Sequence, residues 1–221
     1  MSEEKTLALL LRKTMLANDD ALLEFLTDKW GSVVIFTPKL AKSKKKLDLD
    51  FFRLLDLDIF QGRQSKKLKS VTTHTLFQGF SQSYEGSQIG FGWLDLLKKH
   101  FPEEKPLPSG LFQQINEVFL HYTDDLALLL DVFLRLKLLD ASGLIPRFDQ
   151  VRGDAHFDPH KGQFFDQATD QSIFLPNLTR QMLEFLRRSD LQTVLSKQSN
   201  LPLDDLPQIQ SLLEQVGAYH N

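Results

Sequence analysis

Residues Leu47–Phe60, LDLDFFRLLDLDIF, decide how the first third of the chain folds. Asp48, Asp50, Asp56 and Asp58 alternate with leucine, isoleucine or phenylalanine. A period of two sends acids to one face and apolar groups to the other, which is the pattern of a half-buried strand. The pair Phe51-Phe52 shifts the phase, as a bulge or coil does in a strongly curved strand. Similar runs lie on both sides: TLALLLRKTM, ALLEFLTD and GSVVIFTP before it, KLKSVTTHTLF after it. They are bounded by Asn18-Asp19, Trp30-Gly31, a lysine-rich connection and Gly62. ALLEFLTD, rich in leucine, reads alone as well as a helix; its neighbours argue for a strand. Five strands between Lys5 and Leu76 suit a small closed barrel, and the five-stranded OB-fold is the leading candidate. On this reading Phe36, Phe51, Phe52 and Phe60 supply the barrel interior. Trp30, in a turn, is either a plug or a ring on which bases stack.

After Gly79 the period becomes helical. GWLDLLKKHF stops at Pro102, and SGLFQQINEVFLHY starts with Ser109 as the expected N-cap. DDLALLLDVFLRLKLLDASG is apolar on nearly every face, as a central buried helix would be. LPNLTRQMLEFLRRSDLQTVLS is expected to start at an Asn177 cap, and LDDLPQIQSLLEQVGAYHN closes the sequence. Between these helices GDAHFDPHKGQFFDQAT, with Pro159 and Gly162 around a turn, reads as a β-hairpin arm at about residues 150–170. The expected fold is α+β: an N-terminal five-stranded OB-fold β-barrel over residues 1–79, then an all-α helical domain over 80–221 with the inserted hairpin arm.

Composition narrows the function. The 221 residues contain no cysteine, which excludes disulfides, thiolate zinc sites and cysteine nucleophiles. The run LALLL is too short for a signal-peptide core, and no stretch approaches the ~20 apolar residues that cross a bilayer. A cytoplasmic protein is expected, with no membrane partner. The net charge of −3 hides an asymmetry. Residues 1–80 carry 14 Lys and Arg against 10 Asp and Glu; the remainder carries 12 against 19. A polyanion partner for the first module follows.

The positive charge is concentrated. Lys39, Lys42, Lys44, Lys45 and Lys46 fall within eight residues. Arg63, Lys66, Lys67 and Lys69 follow the fourth strand, and Arg12 and Lys13 end the first. Lysine is a flexible point charge suited to sequence-independent phosphate contact, and loops beside an OB-fold face meet the nucleic-acid backbone. Such loops are often only solvated tips; two clusters on one basic module favour binding. Catalytic readings fare poorly. Four acids spread along one strand cannot converge on a two-metal site ~4 Å across. His156 and His160 have i, i+4 spacing, but Pro159 breaks a helix there, and Phe157 stands where a zinc protease needs glutamate. There is no Gly-rich phosphate loop and no G-x-S-x-G elbow. A non-enzyme without cofactor or metal is expected.

Six segments in order resemble the bacterial recombination-mediator family RecO. LLLRKTMLANDDALLEFLTDKWGSVVIFTPKLAKSKKK is similar to the family's opening, and FFRLLDLDIFQGR to its fourth strand. FPEEKPLPSGLFQQINEVF and LLLDVFLRLKLLDASGLIP resemble two helical segments; HFDPHKGQFF resembles the arm and LPNLTRQMLEFLRR the helix after it. The resemblance implies a mediator of DNA repair and homologous recombination that binds single- and double-stranded DNA and anneals complementary strands. It further implies partnership with RecR and with the C-terminal tail of single-stranded DNA-binding protein (SSB), the loading of RecA, and a nucleoid-associated place in the cytoplasm. Phe133, Arg135 and Lys137 are the expected pocket for that tail, although Asp131 and Val132 stand where many members carry a basic residue. Arg187 and Arg188 look like the family's late basic pair and would extend the DNA path. Two Cys-x-x-Cys pairs common in the family's arm are absent, so its zinc is not carried over, and Phe148, Phe157, Phe164 and Phe165 must hold the arm instead, with Phe157 and Phe165 as anchors. The alternative is an OB-fold module for RNA or ribonucleoprotein, with the helical part as a protein-docking scaffold.

Overall fold

The structure, a computed structural model, describes residues 2–40, 49–62, 66–102, 104–150 and 152–220. It is α+β and divides into two compact units, Met1–Thr123 and Asp124–Asn221. The first unit begins with an antiparallel sheet of β1 (Ser2–Met15), β2 (Ala21–Thr27), β3 (Gly31–Thr37), β4 (Arg53–Gln61) and β5 (Lys66–Leu76), ordered β3-β2-β1-β4-β5. β1 is long because it serves two partners: residues 2–9 pair with β4 and residues 8–15 with β2. A register shift between Leu10 and Arg12 leaves Leu11 as an extra residue, bending the strand between its two partners. The edge strands β3 and β5 approach within 8 Å, Cα to Cα, and no ladder joins them among the described residues.

Period-two alternation is obeyed closely. Leu55, Leu57 and Ile59 of β4 enter a core with Ala8, Leu10, Leu23, Phe25, Val33, Ile35 and Val71, while Asp56 faces solvent. Phe51-Phe52 do not interrupt the strand; they precede it, in a bend where Phe52 takes φ +57°. ALLEFLTD is strand β2, every residue of Ala21–Thr27 pairing with β3. The turn before it uses Asn18 and Asp19 at φ 63° and 65°, residue types that tolerate the left-handed region.

Two helices belong to this unit: α1 (Tyr84–His100) and α2 (Leu111–Leu120). The unit built on the sheet therefore runs past the expected boundary at residue 79. An aromatic cluster holds it together: Phe80 stacks on Tyr122 at 4.3 Å between centroids and meets Trp93 and Phe119 edge-on or tilted at 5.6 and 5.3 Å. Gly90 of α1 makes room for it, since a Cβ there would lie 2.5 Å from the Phe52 ring and 2.7 Å from Phe80. The Ser83 side chain caps α1 by accepting from Gly86 N–H at 2.9 Å. The N-cap of α2 is Gly110, at φ 77°, and not Ser109; the chain reverses one residue later, in a conformation that glycine adopts without strain.

The second unit contains α3 (Ala127–Ala141), short strands β6 (Ala155–Asp158), β7 (Gln163–Phe165) and β8 (Ile173–Leu175), then α4 (Asn177–Arg188), α5 (Leu191–Ser196) and α6 (Leu206–His220). As its all-round apolar sequence requires, α3 is the buried helix, ten of its residues being buried. The C-terminal helical run is split: Asp190 caps α5 by accepting from Thr193 N–H at 2.7 Å. Pro176, not Asn177, stands at the N-cap of α4. The arm is the hairpin β6–β7, with β8 on the other side of β6. Buried Asp158 fixes its turn by accepting from the N–H groups of His160 and Lys161 at 3.0 and 3.2 Å, and Gly162 closes it at φ 60°. Phe157 is fully buried and touches Phe164, which in turn meets buried Phe148. Phe165 is not an anchor: it is half-buried, with Lys161 Nζ 5.2 Å above its ring.

Candidate nucleic-acid interface

Strict alternation in β3 turns Val33 and Ile35 inward and therefore Val34 and Phe36 outward, 60% and 49% exposed. Phe36 and the outward Phe60, expected in the interior, are surface residues for this reason. Register extends the outward face into two cross-strand rows: Phe36, Leu22 and Thr14, and beside them Val34, Glu24 and Arg12. Glu24 bridges two cations, Arg12 at 3.9 Å and Lys98 at 2.8 Å, so one positive charge is left over among these three. Lys13 is exposed too, but it pairs with core Leu23 and so leaves the strand on the face opposite Arg12; Lys39 is exposed just beyond β3, its backbone N–H donating to Asp20 Oδ1 at 2.8 Å. An apolar and aromatic strip thus lies within a cationic frame. Such a surface offers stacking to bases and point charges to phosphates.

The second expected cluster lies elsewhere. Lys69 ion-pairs with Glu3, while Arg12 is nine residues further along the same strand, about 30 Å in extended chain. Lys66 and Lys67 fall on opposite faces of β5. Lys67, exposed, pairs across from outward Phe60; Lys66 turns the other way, ion-pairs with Glu104 and holds Nζ 5.3 Å from the Trp30 ring centroid. Trp30 itself is half-buried against the sheet core. Lys69 Nζ lies 5.4 Å over Phe60, and the Glu3 hydrogen bond raises its pKa above the ordinary lysine value. Lys42, Lys44, Lys45, Lys46 and Arg63 lie outside the described residues.

In the helical unit the expected site residues are engaged by the fold's own acids, carbonyls and core, Arg188 alone among them being exposed. Phe133 has no exposed ring surface. Lys137, 8% exposed, donates to the carbonyls of Arg187 and Ser189 at 2.6 and 2.8 Å, capping the C-terminus of α4, and burial lowers its pKa. Arg135 bonds Asp131 at 2.7 Å and Glu214 at 3.2 Å. Arg187 binds Glu184 at 2.7 Å and Asp140 at 3.2 Å; the Glu184 hydrogen bond raises its pKa. Burial alone would raise the Glu184 carboxyl, but Arg187, the Phe148 N–H and Arg188 outweigh it and hold the group below its ordinary value. Arg188 pairs with Asp149 and Glu184. The structure therefore does not gather Phe133, Arg135 and Lys137 on a surface. His156 packs on Phe174 and His160 on Tyr219, so the two histidines serve separate neighbours.

What sequence reasoning missed is the outward strip on β3. Its signal was present: in GSVVIFTP, fixing Ile35 as core sends Phe36 outward. No protein-family model matches the chain, and no curated protein matches it in sequence. No helix among the described residues is long and apolar enough to cross a membrane.

Proposed function

We propose that the chain is a RecO-like recombination mediator that binds DNA through its first unit, without nucleotide hydrolysis. One observation carries this reading: an outward aromatic and apolar strip, Phe36, Val34 and Leu22, flanked by Arg12 and Lys39 on a small sheet. Rings stack on unpaired bases irrespective of sequence, and flexible cations follow a backbone of phosphates. The strand order supports an OB-fold, because joining β3 to β5, the strands that already approach, closes the ring 1-2-3-5-4. The lysines at 42 and 44–46 follow β3 in sequence. A protein that neutralises phosphates and presents unpaired bases promotes pairing of complementary strands; RecR and the SSB tail are the partners through which it would assist RecA loading.

The test is binding and annealing by the purified chain. Fluorescence anisotropy should show sequence-independent binding of single-stranded DNA that weakens with salt. Changing Lys42, Lys44, Lys45 and Lys46 together to alanine should flatten the log–log salt slope by roughly 3 if each contacts a phosphate. Complementary oligonucleotides should anneal faster with the protein than without it, in EDTA and without nucleotide. Absence of binding, or annealing that required ATP, would overturn the proposal. Tighter binding to RNA than to DNA at matched salt would replace it with the ribonucleoprotein reading. Pull-down by RecR, and by SSB with but not without its tail, tests the partners.

A further inference from the structure

A second cationic position lies away from the Phe36 strip, and the chain's own acid already sits on it. Lys66 opens β5, and Gly31 opens β3. The segment after α1 returns to both. Glu104 ion-pairs with Lys66, and the Lys105 backbone crosses Gly31 so closely that a Cβ there would sit 2.0 Å from the Lys105 carbonyl oxygen. Gly31 also takes φ 72°, so glycine is required twice over at this crossing. The strap is thus seated by backbone packing, independently of the Glu104 charge. Lys66 is held between Trp30 and Glu104, with only 11% of its side chain exposed, whereas half of Glu104 is open to water.

We infer that Lys66, propped on the Trp30 ring, is a second phosphate subsite, and that the Glu104 carboxylate occupies it and competes with nucleic acid for it. This rests on the nucleic-acid reading above. A carboxylate and a phosphate present the same oxygen acceptors to an ammonium group, and the Trp30 ring, half-buried against the sheet core, holds Lys66 in place from below. Half of Glu104 is open to water and the Gly31 crossing seats the strap without it, so the acid is dispensable for the strap while it governs whether Lys66 is available. Nucleic acid that reaches this edge must exchange with Glu104, and the exchange makes the subsite weaker at rest than its residues would allow.

Glu104→Gln preserves shape and removes the competitor. With a fluorescein-labelled single-stranded oligonucleotide at low salt, this variant should bind about threefold to fivefold tighter than the wild type, the scale of one released surface ion pair. Its log–log salt slope should steepen by about 0.7, the signature of one added phosphate contact on a single strand. Glu104→Gln combined with Lys66→Gln should lose the gain, and the melting temperature of the single variant should stay at the wild-type value. Unchanged affinity in Glu104→Gln while the wild type binds overturns the inference alone, and so does lost stability without gained affinity, since the acid is then only a clamp. A wild type that binds no nucleic acid overturns the underlying reading and the subsite with it.

Discussion

In the first unit Arg12, Lys66 and Lys69 each meet a carboxylate that is separate from the body of the core: Glu24, Glu104 and Glu3. In the second, Arg180, Arg187 and Lys137 are drawn inward and satisfied largely by backbone carbonyls and buried acids. Arg180, 3% exposed, donates to the carbonyls of Phe148, at 2.6 Å, and Gly153, and to Asn177 Oδ1 at 2.9 Å. Glu184 holds the other side of the same residue by accepting from Phe148 N–H at 3.1 Å. The first arrangement is exchangeable, because in each pair at least one partner stands open to water, where another anion can take the acid's place. The second is not, because removing one partner leaves a buried polar group unsatisfied. Equal numbers of cations therefore mean different things: in the sheet unit they are exchangeable, in the helical unit they are fasteners.

The largest expected effect tests how firmly the helical unit is fastened without metal. Phe157→Ala should cost about 3–5 kcal/mol in urea unfolding, as for other fully buried rings, whereas half-exposed Phe165→Ala should cost less than about 1 kcal/mol. Equal effects would place the anchor of the arm elsewhere. Next, Arg180→Met leaves two carbonyls without their donor and should lose about 2–4 kcal/mol with unchanged DNA affinity. A loss of affinity without a loss of stability would move Arg180 from the fasteners to the binding surface.

The comparison sharpens with pH. The folded pKa of Glu184 is depressed, so its contribution is fully present above its ordinary value of 4.5 and disappears as pH falls through the lower folded value. Urea midpoints between pH 6 and pH 3 should therefore drop, and Glu184→Gln should remove part of that drop; an identical pH profile in the variant would show that the clamp acts without its charge. The smallest effect belongs to the sheet unit. Arg12→Ala should change stability by less than about 0.5 kcal/mol and weaken binding of a single-stranded oligonucleotide severalfold. A stability loss exceeding the affinity loss would make Arg12 a fastener too.

Much of the sheet was legible because its information is local. Asp56, Leu57, Asp58 and Ile59 state which face each residue takes, and Asn18-Asp19 mark a left-handed turn by residue type alone. ALLEFLTD needed its neighbours, since leucine suits either period. The extent of the first unit was not legible: that α1 and α2 belong with the sheet depends on Phe80, just past β5, meeting Trp93, Phe119 and Tyr122 in space, which no local period encodes. The site was read less well for the same reason. Lys137 and Arg187 look like surface cations in sequence, and only contacts some 50 residues apart reveal them as a helix cap and an acid-bound clamp. Phe36 was misplaced for want of register, not of signal.

Lys137 has a practical consequence. Acylating reagents attack an amine only when it has shed its proton, and burial favours that neutral form here. Yet both carbonyls it serves shield its nitrogen, so reagent can reach it only when the end of α4 lifts. In a chain with no cysteine to label, this amine is a built-in reporter. Timed acylation read by peptide mass spectrometry would give the rate at which that end of the helical unit opens, with exposed Lys13 and Lys67 in the same sample timing the reagent itself.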